Sequence, residues 1–442
     1  MIFSSITFLF LFLPIVFGIY SILPNLMLKN IFLMISSLVF YAWGEPLFVF
    51  LMLVSVFCNW CIGLLMQKYN KNFLLGVAIL LNIGLLFYFK YFNFIADLLH
   101  INISEIRLPI GISFFTFQAL SYVIDVKRGS VEVQKNYFNL LLYISLFPQL
   151  IAGPIVRYQD VDQQIKERTI TIDKIASGIK LFIFGLGKKV LIANNMAIMV
   201  DTIFEMNPNE LNIILAWIGA IAYVFQIYFD FSGYSDMARG LGRMFGFEFK
   251  ENFNYPLTAT SLRDFWRRWH MSLTGWFREY LYIPLGGNRK GDNRKYINTM
   301  IVFFATGLWH GANWTFLVWG VVHGLFVVME SIVGIDNVKS ILLKRIYTLV
   351  VVTLLFVVFR ADSLGYAMAY IGQMFMGFDV SKQSTIVQLL NPYTIFISIV
   401  AMFLAFKWIT IKSSYVCSIF ILIFSILSLA SNAYNPFIYF IF

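Results

Sequence analysis

The sequence predicts an all-α polytopic membrane protein with about 10–12 transmembrane or re-entrant helices. Of its 442 residues, 60% are hydrophobic and only 13% are charged, whereas about a quarter of the residues of a soluble domain are charged. Several apolar runs reach the roughly 18–20 residues that a helix needs to cross a bilayer. The many short alternating strands of a membrane barrel are not visible in the sequence.

The net charge of +10 is explained by the membrane environment. Lys and Arg collect in the cytoplasmic loops of membrane proteins, beside anionic lipid. Membrane lipid, and not nucleic acid, is therefore the expected partner of the basic residues. Cys58 and Cys61 have CxxC spacing within an apolar run, but no second pair completes a zinc site, so no metal is expected.

The order of apolar and charged segments predicts the topology of one integral membrane domain, residues 1–442. Its parts are N-terminal spans (1–108), a catalytic core (109–334) and C-terminal spans (335–442). Residues 6–23 lack a basic n-region and a cleavage site, so they are expected to form a retained span. Residues 31–66 are predicted to form a hairpin broken at Glu45 and Pro46, since proline ends a helix. Further predicted crossings are residues 73–89, 109–125, 175–200, 211–229, 298–335 (a hairpin, or a re-entrant loop with a span), 346–359, 393–408 and 416–429.

The charges of the loops set the predicted orientation. Residues 263–295 hold eight basic and three acidic residues, half of the net charge of the chain, and are predicted to be cytoplasmic. Residues 201–210 hold three acidic residues and no basic one, as expected for an outer loop. The same count places the C-terminus outside.

The segment of residues 138–160 is short, apolar and interrupted by Pro148, Gly153 and Pro154. One interpretation is a re-entrant segment that lines a cavity, because broken backbone at membrane depth is tolerated only inside protein or beside water. The other interpretation is a kinked core helix. The sequence leaves both open.

His310 is the first candidate catalytic residue. It follows Asn298 by 12 residues, or about 18 Å of helix, which predicts a position near the middle of the hydrocarbon layer. An ionisable side chain at that depth indicates function, and imidazole transfers protons near neutral pH. Gly307 and Gly311 would allow close backbone approach, and Asn313 offers a polar partner.

His270 is the second candidate, within the run "DFWRRWHMSL". The spacing of Trp266, Trp269, His270 and Leu273 predicts one face of an amphipathic helix at the cytoplasmic interface. The arginines Arg263, Arg267 and Arg268 would lie elsewhere on that helix. They are expected either to extend toward the membrane surface or to bind the phosphates of a donor such as acetyl-coenzyme A. Arg289 and Lys290 in "PLGGNRKG" add basic residues to the same loop.

For three other polar residues, a structural role explains the sequence at least as well as a catalytic or binding role. His323, in "VVHG", is expected to be structural or to make a polar helix contact. Asp230 and Asp236, in "FDFSGYSD", could orient a histidine or bind a cation, and a capped helix end would explain them equally well.

Five ordered motifs between residues 109 and 324 resemble the membrane-bound O-acyltransferase (MBOAT) superfamily, above all its alginate O-acetyltransferase (AlgI-type) branch. The motifs are "FPQLIAGPIVRY", "YFDFSGYSDMARG", "DFWRRWHMSL", "YLYIPLGGNRKG" and "GLWHGANWTFLVWGVVHG". The final run "PFIYFIF" is also similar to the end of that branch.

The resemblance implies a site and a reaction. The buried catalytic histidine of the family falls on His310, and its upstream partner falls on His270. The branch takes acetyl from cytoplasmic acetyl-coenzyme A at the bacterial inner membrane. It passes the acetyl group to an extracytoplasmic SGNH-type acetyltransferase, which esterifies a polysaccharide. Tyr439 matches the C-terminal tyrosine of a suggested acyl relay, although Ile441 stands where the branch has a polar residue, and an interfacial aromatic belt would also explain the run.

Two alternative functions remain open from the sequence. One is the D-alanyl transfer protein of teichoic acids, in the same superfamily, with a carrier-protein thioester as donor; "IPLGGNRKG" and the length of the match favour the acetyl branch. The other is a glycan transporter or flippase, whose histidines would be proton relays or substrate contacts. The polymer, whether alginate, cellulose, peptidoglycan or another glycan, is not identified by the sequence.

Overall fold

The computed structural model describes residues 1–151, 153–377, 383–408, 414–431 and 434–436. Within these residues the regular elements are all helices, which confirms the predicted all-α class. The chain forms two compact units. The first unit is Met1–Gly185 with Tyr234–Glu251, and the second unit is Leu186–Gly233 with Asn252–Phe442.

Nine helices carry the membrane character of the chain, among the residues that the structure describes. Five are long and apolar enough to cross a membrane: Phe48–Leu65, Lys71–Leu98, Ile213–Met244, Trp314–Val333 and Ile341–Arg360. Four shorter apolar helices are Phe8–Ile22, Leu26–Ala42, Pro392–Ala405 and Tyr415–Ser431. The protein is therefore a multi-pass membrane protein, while the number of about 10–12 crossings stays a prediction.

The first unit is built from short and medium helices. They are Phe8–Phe12 (π-helical), Leu13–Ile22, Leu26–Ala42, Phe48–Leu65, Lys71–Leu86, Phe87–Tyr91 (π-helical), Phe92–Leu98, Ile112–Arg128, Tyr137–Ser145, Phe147–Leu150 and Tyr158–Lys166. The predicted break at Glu45 and Pro46 is confirmed, because the chain leaves helical structure between Ala42 and Phe48. The buried Glu45 carboxylate accepts a hydrogen bond from the Arg107 guanidinium at 3.1 Å, so the turn does not leave a lone buried charge.

The segment with Pro148 forms two short helices, Tyr137–Ser145 and Phe147–Leu150, and not one kinked helix. The backbone is non-helical at Leu146, with ψ of 108°. The Phe147 N–H, which the break frees from helical pairing, donates to the Ser37 hydroxyl at 3.1 Å. The interruption is tolerated because the freed backbone group finds a partner inside the protein.

Two helices belong to both units, Ile172–Gly187 and Ile213–Met244. The other elements of the second unit are Lys188–Ala193 (π-helical), Asn194–Phe204, Pro208–Glu210 (3₁₀), Pro256–Thr258 (3₁₀), Leu262–Arg268, Met271–Phe277, Arg278–Tyr282 (π-helical), Asp292–His310, Trp314–Val333, Ile335–Asn337 (3₁₀), Ile341–Arg360, Leu364–Gln373, Gln383–Leu389, Pro392–Ala405 and Tyr415–Ser431. Aromatic side chains such as Trp319 and Phe356 are buried at the centre of this unit. All of the described candidate site residues lie in it.

A tight helical hairpin organises the second unit. Its arms are Asp292–His310 and Trp314–Val333. Of the two, Trp314–Val333 is long and apolar enough to cross a membrane, so a pair of spans and a re-entrant segment with one span both stay predictions for residues 298–335. A Cβ atom on Gly307 would meet the Phe316 carbonyl oxygen at 2.6 Å, and one on Gly320 would meet the Phe303 carbonyl oxygen at 2.5 Å. The two helices therefore pack at a distance that only glycine permits. The turn between them begins directly after His310.

Candidate active site

His310 is the last residue of the first arm of the hairpin. The helix starts at Asp292 and ends at the histidine itself, while the expected position of His310 near the middle of the hydrocarbon layer stays a prediction. The imidazole is 7% exposed and lies edge-on to three rings, Trp309, Trp319 and Phe359, each with a centroid at 5.1 Å. It also lines a small cavity of about 10 Å³, the lower limit for a single water molecule.

His270 lies at a break in the chain and not on a continuous helix. One helix ends at Arg268, the next begins at Met271, and His270 between them has φ of 43° and ψ of 53°. The predicted shared helical face of Trp266, Trp269 and His270 is therefore wrong, although all three side chains are buried. A left-handed backbone costs a non-glycine residue about 1–2 kcal/mol, and such strain is concentrated at functional sites.

Asn252 fixes the orientation of the His270 ring. Its amide oxygen lies 3.2 Å from Nδ1 of His270 and accepts hydrogen bonds from the Ser272 N–H at 3.1 Å and the Ser272 hydroxyl at 2.8 Å. An amide oxygen only accepts hydrogen bonds, so Nδ1 carries the proton and Nε2 is the basic nitrogen. Burial lowers the pKa of His270 to about 3, which keeps the imidazole neutral at physiological pH.

The two histidines are brought together around Trp309. The centroid of its ring system lies 6.0 Å from the His270 ring and 5.1 Å from the His310 ring. Phe231 adds a second link, because it packs edge-on against His270 at 4.6 Å and lines the small cavity beside His310. Residues 40 positions apart in sequence thus belong to one aromatic site.

A larger cavity of about 220 Å³ lies beside the two helices that flank His270. Arginines and aromatic or aliphatic side chains share its lining: Arg263, Arg267, Arg278, Trp266, Leu273, Phe277, Tyr282, Val302, Phe303, Val327, Thr274, Thr299 and Thr306. The cavity can therefore hold a molecule with an anionic end and an apolar end. We call it the basic cavity.

The predicted donor-binding residues divide into two groups around the basic cavity. Arg263 and Arg267 line it, and Arg278, which the sequence reasoning missed, joins them. Arg268 lies outside the lining and pairs with Asp264 at 2.9 Å. The side chains of Arg289 and Lys290 also lie outside the lining and are exposed on the loop before Asp292.

Trp266 connects the basic cavity to His310 through two ring contacts. It lines the cavity and packs edge-on against Trp319, with centroids 5.7 Å apart. Trp319 in turn contacts His310. His323 supports this arrangement, since its ring lies 5.3 Å from Trp266 and its Nδ1 is 3.1 Å from the Trp319 carbonyl oxygen. The expectation of a polar helix contact for His323 is confirmed.

A third cavity, of about 140 Å³, lies at the turn of the hairpin. We call it the turn cavity. It is lined by Asp201, Tyr223, Gln226, Asn313, Thr315, Phe316, Phe359, Arg360, Ala361, Asp362 and Pro436. Arg360 forms an ion pair with Asp201 at 3.0 Å, and the Tyr434 hydroxyl donates to the other oxygen of that carboxylate. Tyr439 lies outside the described residues.

Asp230 and Asp236 each pair with a basic side chain. Asp230 forms an ion pair at 2.6 Å with Lys189, and both side chains are at most 3% exposed. The Lys189 ammonium also donates to the Pro436 carbonyl oxygen. Asp236 pairs with Arg239 at 3.3 Å. In the part of the chain that the structure describes, no group of three or more His, Cys, Asp or Glu residues is placed to hold a metal ion.

The geometry can be compared with known proteins. Residues 35–335 match the model of the membrane-bound O-acyltransferase family. The chain is 42% identical over 395 residues to the probable alginate O-acetylase AlgI of Pseudomonas putida, across 85% of this chain and 80% of the relative. It is 36% identical to the peptidoglycan O-acetyltransferase of Helicobacter pylori, across 74% and 69%. It is 28% identical to the teichoic acid D-alanyltransferase of Bacillus subtilis, across 59% and 69%.

Proposed function

The chain belongs to the membrane-bound O-acyltransferase family, and we propose that it passes acetyl from cytoplasmic acetyl-coenzyme A across the membrane for O-acetylation of a polysaccharide. The observation that carries this proposal is the pair of buried histidines, His270 and His310, that share Trp309. Relatives named as an alginate O-acetylase and a peptidoglycan O-acetyltransferase support an exported or cell-wall glycan as the final acceptor.

His310 acts as the general base in the proposed reaction. The acceptor hydroxyl gives its proton to the imidazole while its oxygen forms a bond to the carbonyl carbon of the acetyl thioester. The carbon–sulfur bond then breaks, and the leaving sulfur of coenzyme A takes up the proton. The dry aromatic surroundings of His310 support this role, because they keep water from competing with the acceptor hydroxyl.

His270 positions the donor. Its neutral tautomer presents Nε2 as a hydrogen-bond acceptor, so it can hold an amide N–H group of the donor. Polarising the thioester carbonyl would instead require an N–H at that nitrogen. Of the two roles that the resemblance implies for His270, positioning is therefore the one that the Asn252 contact supports.

The basic cavity receives the donor. Arg263, Arg267 and Arg278 are suited to its phosphates, because a guanidinium binds phosphate oxygens through two parallel N–H groups. The apolar part of the lining suits the thioester arm. In this proposal Arg268, Arg289 and Lys290 act further out, by attracting the anionic donor to the loop.

The second half of the proposal concerns the outer side of the membrane. The charge pattern predicts that Tyr439 lies outside, at the bacterial inner membrane, where it would accept acetyl and pass it to an extracytoplasmic SGNH-type acetyltransferase. The position of Pro436, three residues before Tyr439, supports this step because Pro436 lines the turn cavity.

D-alanyl transfer is the second candidate within the family. The relative named as a teichoic acid D-alanyltransferase matches 59% of this chain at 28% identity, whereas the alginate O-acetylase matches 85% at 42%. The longer and closer match favours acetyl as the transferred group. A glycan transporter remains the alternative from another class, and it would move glycan without an acyl donor.

Thioester cleavage by purified protein tests the proposal. Radiolabelled acetyl-coenzyme A is incubated with wild type, with His310→Gln and with His100→Gln, which replaces an exposed histidine of the first unit. We expect His310→Gln to lose acetyl transfer by about 100-fold or more, the usual size of a general-base contribution, and His100→Gln to match wild type. Full transfer by His310→Gln would refute the catalytic assignment. Cleavage of D-alanyl carrier protein in place of acetyl-coenzyme A would favour the second candidate.

A further inference from the structure

The turn cavity contains three buried polar groups for which the described part of the chain supplies no hydrogen-bond partner. The Tyr223 hydroxyl, the Gln226 amide oxygen and the Thr315 hydroxyl line it. Each of these atoms makes no hydrogen bond among the residues that the structure describes. The three residues are 1%, 5% and 0% exposed. Leaving one such buried group unpaired costs about 1–3 kcal/mol, so three around one cavity indicate that a bound molecule supplies the partners.

The three groups come from two well-anchored elements. Tyr223 and Gln226 are three residues apart on the helix Ile213–Met244, so they lie on the same side of it. Thr315 is in the first turn of Trp314–Val333, which Asn313 caps by accepting a hydrogen bond from the Thr315 N–H at 3.1 Å. A site on such elements is preorganised, since folded helices hold its polar groups in place before a ligand binds.

The turn cavity shares a lining side chain with the small cavity beside the candidate general base. Phe359 lines both the turn cavity and the small cavity beside His310, and its ring is 5.1 Å from the imidazole. Gln226 lines the first cavity, and the next residue, Ile227, lines the second. A rotation of the Phe359 ring would join the two spaces.

The chemistry of the lining specifies the kind of ligand. Two hydroxyls can donate or accept a hydrogen bond, and the amide oxygen accepts one. Three charged residues line the wall, Arg360, Asp201 and Asp362. Arg360 pairs with Asp201 at 3.0 Å, so the wall offers no unpaired cation that would require an anionic ligand. A neutral molecule that carries at least one hydroxyl group fits this set.

We infer that the turn cavity is the binding site of the acyl acceptor, and that Tyr223, Gln226 and Thr315 hold its reacting hydroxyl group for His310. This inference rests on the proposed acyl transfer. The hydroxyl bonds to the cavity wall, loses its proton to His310 as its oxygen attacks the acetyl carbon, and leaves as an acetyl ester while the thiol of the donor departs. The hydroxyl has two possible sources, a phenol such as that of Tyr439 or a sugar alcohol.

Isosteric variants separate binding from folding. Tyr223→Phe and Thr315→Val each remove one unsatisfied polar atom, so they are expected to leave the melting temperature unchanged or to raise it. Gln226→Met removes the unsatisfied amide oxygen together with the amide nitrogen. Thr348→Val is the matched control, because Thr348 is also buried on a helix and its hydroxyl bonds the Lys344 carbonyl oxygen away from the cavity. Each protein is incubated with radiolabelled acetyl-coenzyme A and one of two probes, N-acetyltyrosinamide or methyl β-glucoside. Acetyl on the C-terminal peptide is measured by mass spectrometry, and a parallel set carries Tyr439→Phe.

The expected result is a selective loss of ester formation. Each cavity variant should raise the KM for the acceptor about fivefold, the effect of one lost hydrogen bond, and the triple variant should lose acetyl esters almost entirely. The Kd for acetyl-coenzyme A should stay at the wild-type value, because none of the three residues lines the basic cavity. Esters on the C-terminal peptide or N-acetyltyrosinamide would identify a phenol as the acceptor, and esters on methyl β-glucoside would identify a sugar.

Two outcomes would overturn the inference. One is a triple variant that forms esters as well as wild type, which would mean that the cavity holds only water. The other is a wild-type protein that cleaves the thioester but forms no ester on either probe or on the C-terminal peptide. A wild type that cleaves no acetyl-coenzyme A would instead contradict the proposed donor and reaction.

Discussion

The strained backbone of His270 has a direct explanation at the residue scale. The next residue, Met271, donates its N–H to the Asn252 carbonyl oxygen at 2.9 Å, while the Asn252 side chain holds the imidazole. A histidine in ordinary helical geometry would continue the helix from Arg268 and lose both contacts. The left-handed residue therefore joins the end of one helix to Asn252 and sets the direction of the ring.

Asn252 is accordingly a positioning residue. We expect Asn252→Ala to lower acetyl transfer by about 10- to 100-fold, as is typical when the partner of a functional histidine is lost, with the main effect on the KM for acetyl-coenzyme A. Asn252→Asp keeps an acceptor at Nδ1 and should retain more activity. It should also shift the pH profile, because a carboxylate favours the charged imidazole. Equal losses in both variants with unchanged pH profiles would indicate a purely structural role.

The depressed pKa of His270 predicts a pH-dependent stability. An unfolded histidine has a pKa of about 6.5, whereas burial lowers the folded value to about 3. Between these values the unfolded state binds a proton that the folded state does not. The contribution of neutral His270 to the free energy of unfolding is therefore fully present above about pH 6.5. It falls by about 1.4 kcal/mol per pH unit as the pH decreases toward 3.

Thermal unfolding in detergent between pH 7.5 and 4.5 measures this effect. The melting temperature of wild type should decrease more steeply toward low pH than that of His270→Gln, which has no titrating group there. His100→Gln, at an exposed position, should follow wild type. Parallel pH profiles of wild type and His270→Gln would show that the imidazole is not held neutral in the folded state.

At the scale of elements, the hairpin positions His310 by close helix packing. Its arms approach at Gly307 and Gly320, about one turn before His310 and about two turns after Trp314. Any side chain at these positions pushes the arms apart. Because His310 is the last residue of its arm, a separation of the helices moves the imidazole relative to Trp319 and Phe359.

Gly307→Ala tests the coupling between packing and activity. The added methyl group would lie 2.6 Å from the Phe316 carbonyl oxygen, so we expect a loss of about 1–3 kcal/mol in the free energy of unfolding and a clear loss of acetyl transfer. Gly18→Ala is the control, since a Cβ there meets no atom within 4 Å. It should leave stability unchanged or slightly raised. Wild-type behaviour of Gly307→Ala would contradict the close packing of the hairpin.

At the scale of the whole molecule, the proposal requires donor and acceptor to reach the site from opposite sides of the membrane. The loops that flank the cavities predict this arrangement from their charge, basic for residues 263–295 and acidic for residues 201–210. Positive loops remain cytoplasmic during insertion. The basic cavity would then open toward the cytoplasm, and the turn cavity, which includes Asp201, toward the outside.

Cysteine labelling measures this sidedness. Asn288→Cys and Asn209→Cys place a thiol at exposed positions in the two loops, in a background where Cys58, Cys61 and Cys417 are replaced by Ser. In right-side-out vesicles a membrane-impermeant maleimide should label Asn209→Cys and not Asn288→Cys, and permeabilised vesicles should label both. The reverse pattern would refute the orientation and, with it, the assignment of the two cavities to donor and acceptor.

The sequence predicted those features of the molecule that depend on local chemistry. Proline at position 46 predicted the break between Ala42 and Phe48, and the basic residues on both sides of residues 298–335 predicted that this stretch turns back. The apolar surroundings of His310 predicted its burial. The break at His270 was not predictable from periodicity, because tryptophan and histidine continue the helical spacing across it. Asn252, Arg278 and Gln226 were missed because their roles depend on contacts formed only in the folded chain. Two polar residues three apart in an apolar run, Tyr223 and Gln226, were the available signal for the turn cavity.

The aromatic enclosure of His310 also has an electrical consequence. In the proposed function, donor and acceptor reach His310 from opposite sides of the membrane. Such a site could leak protons, and a cell membrane must hold its proton gradient while the enzyme is idle. A space of about 10 Å³ beside the imidazole is too small for the continuous file of water along which protons move. In the proposed function, Trp309, Trp319 and Phe359 thus block proton flow through the site. Acyl groups would then pass between the compartments without loss of the proton gradient.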